Sequence, residues 1–321
     1  MRWRALVVLL VVCAGAPALW YWAQSWWIWE VREVVVLDRE IRRDFWREDD
    51  AGTPQGPYAL WVDGQHRVWA VDGRCERLWQ LHPGEPRVVL QTAPGLLDMI
   101  SSDRRGLLVA DREGWIWRIA EEARRIGRVF EPRSGWLYRW EALQAAGERL
   151  LTVWWEIGPA GARWIVGWWN PTSGLQPLLE ATMDEGGRVR CTPDLPVSWA
   201  ARTACAADRL LWLAGTAGPG LTRVVQARED GMPLASFLLA SPVRSVHLLG
   251  RDRRGHIWVA WRHEGGWTLR AINDGQAECL EVTVGKKEFL PRPVIGGDGC
   301  LYWLQSRAGT VCLVRYGPRG R

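Results

Sequence analysis

The stretch Asp252-Arg253-Arg254-Gly255-His256-Ile257-Trp258-Val259-Ala260 decides the fold, because versions of it recur along the whole chain. It places an acidic residue in a polar turn directly before an apolar strand. The side chain of such an acid accepts hydrogen bonds from backbone N–H groups just downstream and so fixes a hairpin. We therefore interpret these acids as structural. The recurring acids are Asp63, Asp103, Glu148, Asp208, Asp252 and Asp298.

The spacing of these acids indicates the architecture. Successive acids are 40, 45, 60, 44 and 46 residues apart. Such a spacing accommodates four strands with their turns, the repeat unit of a β-propeller, in which each sheet buries its faces against its neighbours. The sequence thus predicts an all-β fold, a six-bladed β-propeller of four-stranded blades. The gap of 60 indicates an insertion in the fourth blade, around residues 183–196.

The last blade lacks a strand of its own. After Asp298 only 23 residues remain (321 minus 298), enough for two further strands but not for an outermost one. Residues 30–37 have strong β-propensity and are predicted to supply that strand, which closes the ring and leaves no open sheet edge at the seam. Residues 38–56 are then a connector and residues 57–321 form the blades, so that residues 30–321 make one domain.

The N-terminal residues 1–29 carry a targeting signal. An uncharged run from Ala5 to Trp29 is long enough to cross a bilayer of ~30 Å as one transmembrane helix, and Arg2 and Arg4 would keep its start in the cytoplasm. A cleaved signal peptide is the main alternative, because Ala16-Pro17-Ala18 resembles a cleavage site; lipidation of Cys13 is a third. All three place the propeller outside the cytoplasm, on the cell membrane or secreted.

Composition excludes a nucleic-acid surface. The net charge is only +5, and acidic residues are interspersed with the arginines. The extreme feature is the 25 tryptophans, most of which we expect to fill the space between stacked blades.

Six cysteines follow Cys13 and allow 15 pairings. We favour a Cys191–Cys205 disulfide that would fasten the insertion to the fourth blade; the alternative is a set of separate buried thiols. The cysteines lack the CxxC spacing of zinc or redox sites.

Catalytic signatures are absent from the sequence: there is no G-x-S-x-G, H-E-x-x-H, P-loop or dinucleotide-binding motif. His247 is the single candidate for a catalytic side chain, since the pattern around it places it on an innermost strand facing the central channel. The alternative is a satisfied, partly buried histidine, because spacing assigns it no carboxylate partner. The chain therefore leans towards a protein that is not an enzyme, with no metal site or cofactor assigned.

The repeats at residues 102–111 and 251–260 resemble those of NHL, two-component-regulator-type and gluconolactonase-like propellers, with the pattern D-x-x-G-x-[IL]-[WY]-V-[AT]. The likeness covers about residues 55–318, and its motif is specific for fold rather than activity. Gluconolactonase-like enzymes hold a divalent metal with a Glu, Asn and Asp set. Asn170 and Asn273 fall at rim turns instead, so the lactonase site is not transferred to this chain.

The predicted binding surface is the propeller face built from second-to-third-strand turns and blade-to-blade connections, where residues distant in sequence converge. Arginine beside tryptophan is typical of interface hot spots. Our leading hypothesis is a monomeric, membrane-anchored, non-enzymatic module that binds an envelope protein or peptide. The alternatives are a metal-dependent hydrolase or lactonase with its site in the channel, and a glycan-binding propeller with exposed tryptophans. The candidate residues on this face are Arg74, Asp111, Arg112, Glu156, Arg188, Arg262, His263, Arg307, Trp136 and Trp155.

Overall fold

The structure is a computed structural model, and it describes most of the chain from residue 29 onward. The described residues are 29–36, 47–48, 54–55, 59–72, 76–82, 86–91, 96–183, 189–192, 201–207, 209–218, 220–240, 246–252, 255–263, 266–273, 276–283, 292–296, 298–307 and 310–318. Within them, no helix is long and apolar enough to span a bilayer. The predicted anchor over residues 1–29, apart from residue 29, and most of the connector lie outside this part of the chain.

The described residues form short antiparallel strands arranged in six blades. Before the blades come β1 (Trp29–Val36) and the small pair β2 (Arg47–Glu48) and β3 (Pro54–Gln55). Blade 1 has β4 (Ala59–Val62), β5 (Val68–Val71), β6 (Arg77–His82) and β7 (Arg87–Gln91). Blade 2 has β8 (Leu97–Asp103), β9 (Gly106–Asp111), β10 (Trp115–Ile119) and β11 (Ala123–Arg128).

Blade 3 has β12 (Leu137–Ala146), β13 (Arg149–Gly158), β14 (Gly161–Asn170), β15 (Gly174–Met183) and β16 (Val189–Thr192). Blade 4 has β17 (Ala201–Ala207), β18 (Leu210–Gly218), β19 (Leu221–Arg228) and β20 (Pro233–Ala240). Blade 5 has β21 (Val246–Arg251), β22 (Ile257–His263), β23 (Gly266–Asn273) and β24 (Gln276–Thr283). Blade 6 has β25 (Val294–Ile295), β26 (Leu301–Arg307) and β27 (Thr310–Pro318).

The six first strands form a closed ring. Each contacts the first strand of the next blade, in the order β4, β8, β12, β17, β21 and β25, and β25 contacts β4 in turn. Side chains join neighbouring inner strands: Oδ2 of Asp98 accepts from the Trp140 amide at 3.0 Å, and Oγ1 of Thr203 accepts from the Leu248 amide at 3.3 Å. The predicted six-bladed all-β propeller is therefore confirmed.

The insertion predicted for the fourth blade was assigned to the wrong blade. It begins by extending blade 3, where β16 pairs with β15 as a fifth strand and Cys191 lies opposite Ala181. Blade 3 thus departs from the predicted four strands. The physical reason is that the segments before and after the Gly-rich residues 184–188 both suit extended backbone. These two segments pair with each other as β15 and β16, so the insertion extends blade 3 and not blade 4.

The hydrophobic core is divided into six clusters, one at each interface between neighbouring blades. Tryptophans fill these interfaces as predicted: Trp154 lies between blades 2 and 3, Trp261 between blades 4 and 5, and Trp303 between blades 5 and 6. Each is at most 1% exposed. A flat, large side chain fills such a gap with one residue, and no blade buries its faces without a neighbour.

The acids of the repeat hold the first hairpin of each blade, as predicted, wherever the structure shows their hydrogen bonds. Oδ1 of Asp63 accepts from the amides of Gln65 and Arg67 at 2.9 and 3.0 Å, and its Oδ2 accepts from Trp69 Nε1 at 3.1 Å. Equivalent turn bonds reach Asp103, Asp252 and Asp298. Asp208 lies outside the described residues.

The fourth strand of the last sheet comes from the start of the chain. This sheet has the order β1-β27-β26-β25, with β1 antiparallel to β27 and Val34 opposite Val314. That this pairing is what fastens the ring remains a prediction.

Candidate functional site

Asp111 was predicted on the binding face but is fully buried. It lies in the β9–β10 turn, where Oδ1 accepts from the amides of Glu113 and Trp115 and Oδ2 accepts from Trp117 Nε1 at 2.8 Å. Burial raises the pKa of its carboxyl, against the hydrogen bonds that Trp117 and the two amides donate. The same turn chemistry that fixes the first hairpins fixes this second turn, and a role of Asp111 in binding stays a prediction.

Three of the predicted face residues are on blade 3, but Trp136 packs against the core between blades 2 and 3 and Trp155 against the core between blades 3 and 4. Trp136 is half-buried over Gly158, with the Arg133 guanidinium 5.2 Å from its ring centroid. Trp155 is half-buried, and Glu156 is only 4% exposed.

The buried Glu156 belongs to a small network rather than to an open surface. Its Oε1 accepts from Trp154 Nε1 at 3.3 Å. Arg163 Nε lies 3.5 Å from both Glu156 Oε2 and Glu180 Oε1.

The remaining face residues are dispersed. Arg112 is half-buried beside the β9–β10 turn, Arg262 and His263 end β22, and Arg307 ends β26. Arg74 and Arg188 lie outside the described residues.

The glycan-binding alternative required solvent-facing tryptophans. Every tryptophan whose side-chain burial the structure describes is buried or half-buried.

His247 lies where the sequence predicted it, on the innermost strand β21 of blade 5. Its Nδ1 is 3.3 Å from Oε1 of Glu141, which comes from β12 of blade 3. The histidine therefore has the carboxylate partner that spacing could not assign. On its other side, the Trp267 ring centroid is 5.5 Å from that of the imidazole.

Glu141 reaches the channel because the strand is irregular at this point. The pairing of β12 with β13 slips between Trp140 and Ala142, so Glu141 is the extra residue of a β-bulge. Asp98 has the equivalent place in β8, between Leu97 and Met99. A bulge turns its extra side chain away from the regular alternation, and here it presents a carboxylate to the middle of the ring.

Arg292 crosses the channel to the backbone of Glu141. It lies two residues before β25 in blade 6, and its Nη1 donates to the Glu141 backbone carbonyl at 3.2 Å. In a ring of six consecutive blades, blades 3 and 6 are opposite each other. Glu141, His247 and Arg292 therefore join blade 3 to blades 5 and 6, neither of which is its neighbour in the ring.

The charges around Glu141 are predominantly positive. Although burial pushes the pKa of Glu141 upward, the close contact with His247, together with Arg292 and Arg139, holds it below its ordinary value. Burial lowers the pKa of Arg292, with repulsion from Arg139, while attraction from Glu141 opposes the shift. Arg139 is exposed, on the same strand as Glu141. One histidine and two arginines thus act on one carboxylate.

Cys205 lies near this cluster as a buried, free thiol. Burial raises its pKa to about 12, against the nearby positive charge of Arg292. The predicted Cys191–Cys205 disulfide is therefore wrong. The reason is that Cys205 is on the inner strand β17 and turns into the interface between blades 4 and 5, beside Trp212 and Ala214.

One donor beside the cluster has no protein acceptor in the described part of the chain. The indole Nε1 of Trp267 is buried, and none of the described residues accepts its hydrogen bond. Unsatisfied buried polar groups are rare and occur at sites that take up water or a ligand. The described residues contain no group of three His, Cys, Asp or Glu side chains placed to hold a metal ion.

Sequence comparisons match this chain neither to a protein-family profile nor to a curated protein. Comparison with solved structures finds the same fold in proteins of low identity. A streptogramin B lyase is 12% identical, with a TM-score of 0.56 over 91% of this chain and 99% of that one. A virginiamycin B lyase from Staphylococcus aureus is 10% identical, with a TM-score of 0.51 over 89% of this chain and 99% of that one.

A third similar structure is a protein of unknown function from Bacteroides thetaiotaomicron. It is 13% identical, with a TM-score of 0.54 over 88% of this chain and 76% of that chain. At these identities the likeness shows the propeller fold alone, in agreement with the repeat resemblance seen in the sequence.

Proposed function

We propose that the protein is a binding module that takes an anionic group, a carboxylate or a phosphate, into its central channel. The observation that carries the proposal is the cluster in which His247 contacts the single carboxylate of Glu141, Arg292 contacts its backbone carbonyl, and the charges of Arg292 and Arg139 act on the carboxylate. Arg139 is exposed, and it is therefore the most accessible of these three side chains to a ligand. Guanidinium groups pair with carboxylate and phosphate oxygens in a planar, bidentate fashion.

We further propose that the ligand belongs to an envelope protein or peptide, and that residues 1–29 tether the propeller outside the cytoplasm. The uncharged N-terminal run and its flanking Arg2 and Arg4 support the tether. An acidic side chain or a chain terminus on a peptide supplies the anionic group that the channel cluster requires. The N-terminal strand closes the ring in this proposal, supported by the pairing of β1 with β27.

Calorimetric titration with succinate and with inorganic phosphate tests the anion site. Arg139→Gln should weaken binding roughly two- to fivefold, the range expected for one exposed ion pair. The matched control is Arg124→Gln, which removes an exposed arginine from the outer strand β11. Binding by the unaltered protein should also weaken as salt is added. Absence of binding by either anion, or equal losses in the two variants, would contradict the proposal.

A second candidate function, acid–base catalysis, is favoured by the contact between His247 Nδ1 and Glu141 Oε1. A carboxylate at Nδ1 orients an imidazole so that Nε2 is the nitrogen offered to a substrate, as in other histidine general bases. The fold is shared with two lyases. Incubation with a streptogramin B followed by mass spectrometry tests this function, with His247→Ala as the inactive comparison. If the compound is not modified, acid–base catalysis on this substrate class is contradicted, and the binding module remains the proposed function.

A further inference from the structure

The outermost strand of blade 4 differs in charge from every other outermost strand. β20 reads Pro-Leu-Ala-Ser-Phe-Leu-Leu-Ala over eight residues and contains no charged side chain. The outermost strands of the other five blades, β1, β7, β11, β16 and β24, each contain at least one Arg or Glu. Charges on an edge strand prevent sheets from joining edge to edge, and β20 lacks this protection.

One face of β20 is apolar and open to solvent. Phe237 and Leu239 turn inward, with the Phe237 ring stacked 6.2 Å from that of Trp212. The alternate residues turn outward, and Leu234 and Leu238 are 55% and 57% exposed. Met232, just before the strand, is 58% exposed. In the described sheet β20 pairs with β19 alone.

The start of this strand is held in place before any partner arrives. Arg149 of blade 3 forms an ion pair with Glu229 in the β19–β20 turn, and Trp168 Nε1 donates to the Glu229 carbonyl at 2.8 Å. A pre-ordered edge loses little conformational entropy when another strand adds to it.

We propose that β20 pairs antiparallel with β20 of a second copy of this chain. A two-fold axis at Ser236 places Leu234 opposite Leu238 of the second copy and Leu238 opposite its Leu234, so the exposed leucines meet in both halves of the contact. Each β20 strand then lies opposite a strand without charged side chains. Pairs of apolar side chains across two strands are stabilising. The four strands of blade 4 become half of an eight-stranded sheet. This dimer is the alternative to the monomer predicted from the sequence.

Analytical ultracentrifugation of the full chain, with the detergent density-matched, tests the pairing. The unaltered protein should sediment as a dimer. Leu234→Lys and Leu238→Lys should each weaken the dimer at least roughly tenfold, because they place a charge in the joined sheet. The matched control is Leu137→Lys, since Leu137 is 59% exposed on blade 3. This variant should remain dimeric.

Cross-linking tests the register. Ser236→Cys should give a disulfide-linked dimer under mild oxidation, because the axis places residue 236 opposite its own copy. Thr172→Cys, in an exposed turn of blade 3, should not. A monomeric unaltered protein at every concentration, a dimer that survives both lysine variants, dissociation by Leu137→Lys, or failure of Ser236→Cys to cross-link would each overturn the proposal.

Discussion

Asp63 shows how much one side chain contributes to the repeat. In addition to its bonds with the two turn amides and Trp69, Asp63 accepts a hydrogen bond from Arg67 Nε through Oδ2 at 2.7 Å. Burial pushes the pKa of this carboxyl upward, but the hydrogen bonds from Trp69 and Arg67 bring it below its ordinary value. The aspartate is therefore charged in the folded protein at neutral pH, and its oxygens satisfy donors that the fold has removed from water.

Asp63→Ala should lower the free energy of unfolding by about 1–3 kcal/mol, because it leaves the buried Trp69 N–H without its acceptor. Urea denaturation measures the loss. Glu148→Gln is the matched control: Glu148 occupies the same place in its repeat but is exposed. This control should change stability by less than ~0.5 kcal/mol. Equal losses in the two variants would show that the turn acid does not act through its hydrogen bonds.

The sequence predicted such residues well because their partners lie within six positions along the chain. Asp111 shows the same locality: a turn acid in the second turn of a blade has the same sequence pattern as one in the first. Residue pattern identifies the hydrogen-bonding role, and it does not distinguish a turn exposed on the binding face from one buried beneath it.

At the scale of elements, the pairing of β1 with β27 joins residues from the two ends of the chain, with Trp29 opposite Pro318. If this pairing fastens the ring, residues 38–321 should melt roughly 5–10 °C below residues 29–321. Amides of β27 should also exchange hydrogen faster in the shorter chain, since one of its two neighbouring strands is gone. Unchanged melting and exchange would mean that the ring is held closed by the blade interfaces alone.

Strands and blade boundaries were predictable because the repeat carries its own turn signals. The fifth strand of blade 3 was not, since strand pairing depends on where a segment lies after the turn. The sequence of Val189–Thr192 suits the edge of any sheet, and only the position of β15 in the folded chain determines that the two strands pair.

The whole molecule is needed to bring Glu141 to His247. They are 106 positions apart (247 minus 141) and lie on blades separated by another blade, so neither spacing nor repeat register pairs them. Closure of the ring sets their distance, and the bulge at Glu141 turns the carboxylate inward. The only sequence signal is a charged residue within an apolar strand. This is why His247 was found from the sequence while its partner and Arg292 were not.

Acid should weaken the fold through Glu141. Its pKa in the folded protein lies below the value of about 4.3 for an unperturbed glutamate. Its contribution to stability is therefore complete above that value and is lost as the pH falls through the folded pKa. Urea denaturation between neutral pH and pH ~3 should show a smaller loss for Glu141→Gln than for the unaltered protein.

The control for this pH dependence is Glu131→Gln, because the Glu131 side chain is 88% exposed. It should keep the full acid dependence of the unaltered protein. At neutral pH, Glu141→Gln should already cost about 1–3 kcal/mol, since a buried cation loses its compensating charge. A steep acid dependence that persists in Glu141→Gln would assign the effect to other carboxylates.

The contact of Arg292 with the Glu141 carbonyl divides the central channel, because it extends from one side of the ring to the other. A long polymer cannot be threaded past a side chain that bridges opposite walls. Under the binding function proposed above, this bridge favours a ligand that presents a chain end or a projecting side group over one that passes through the channel.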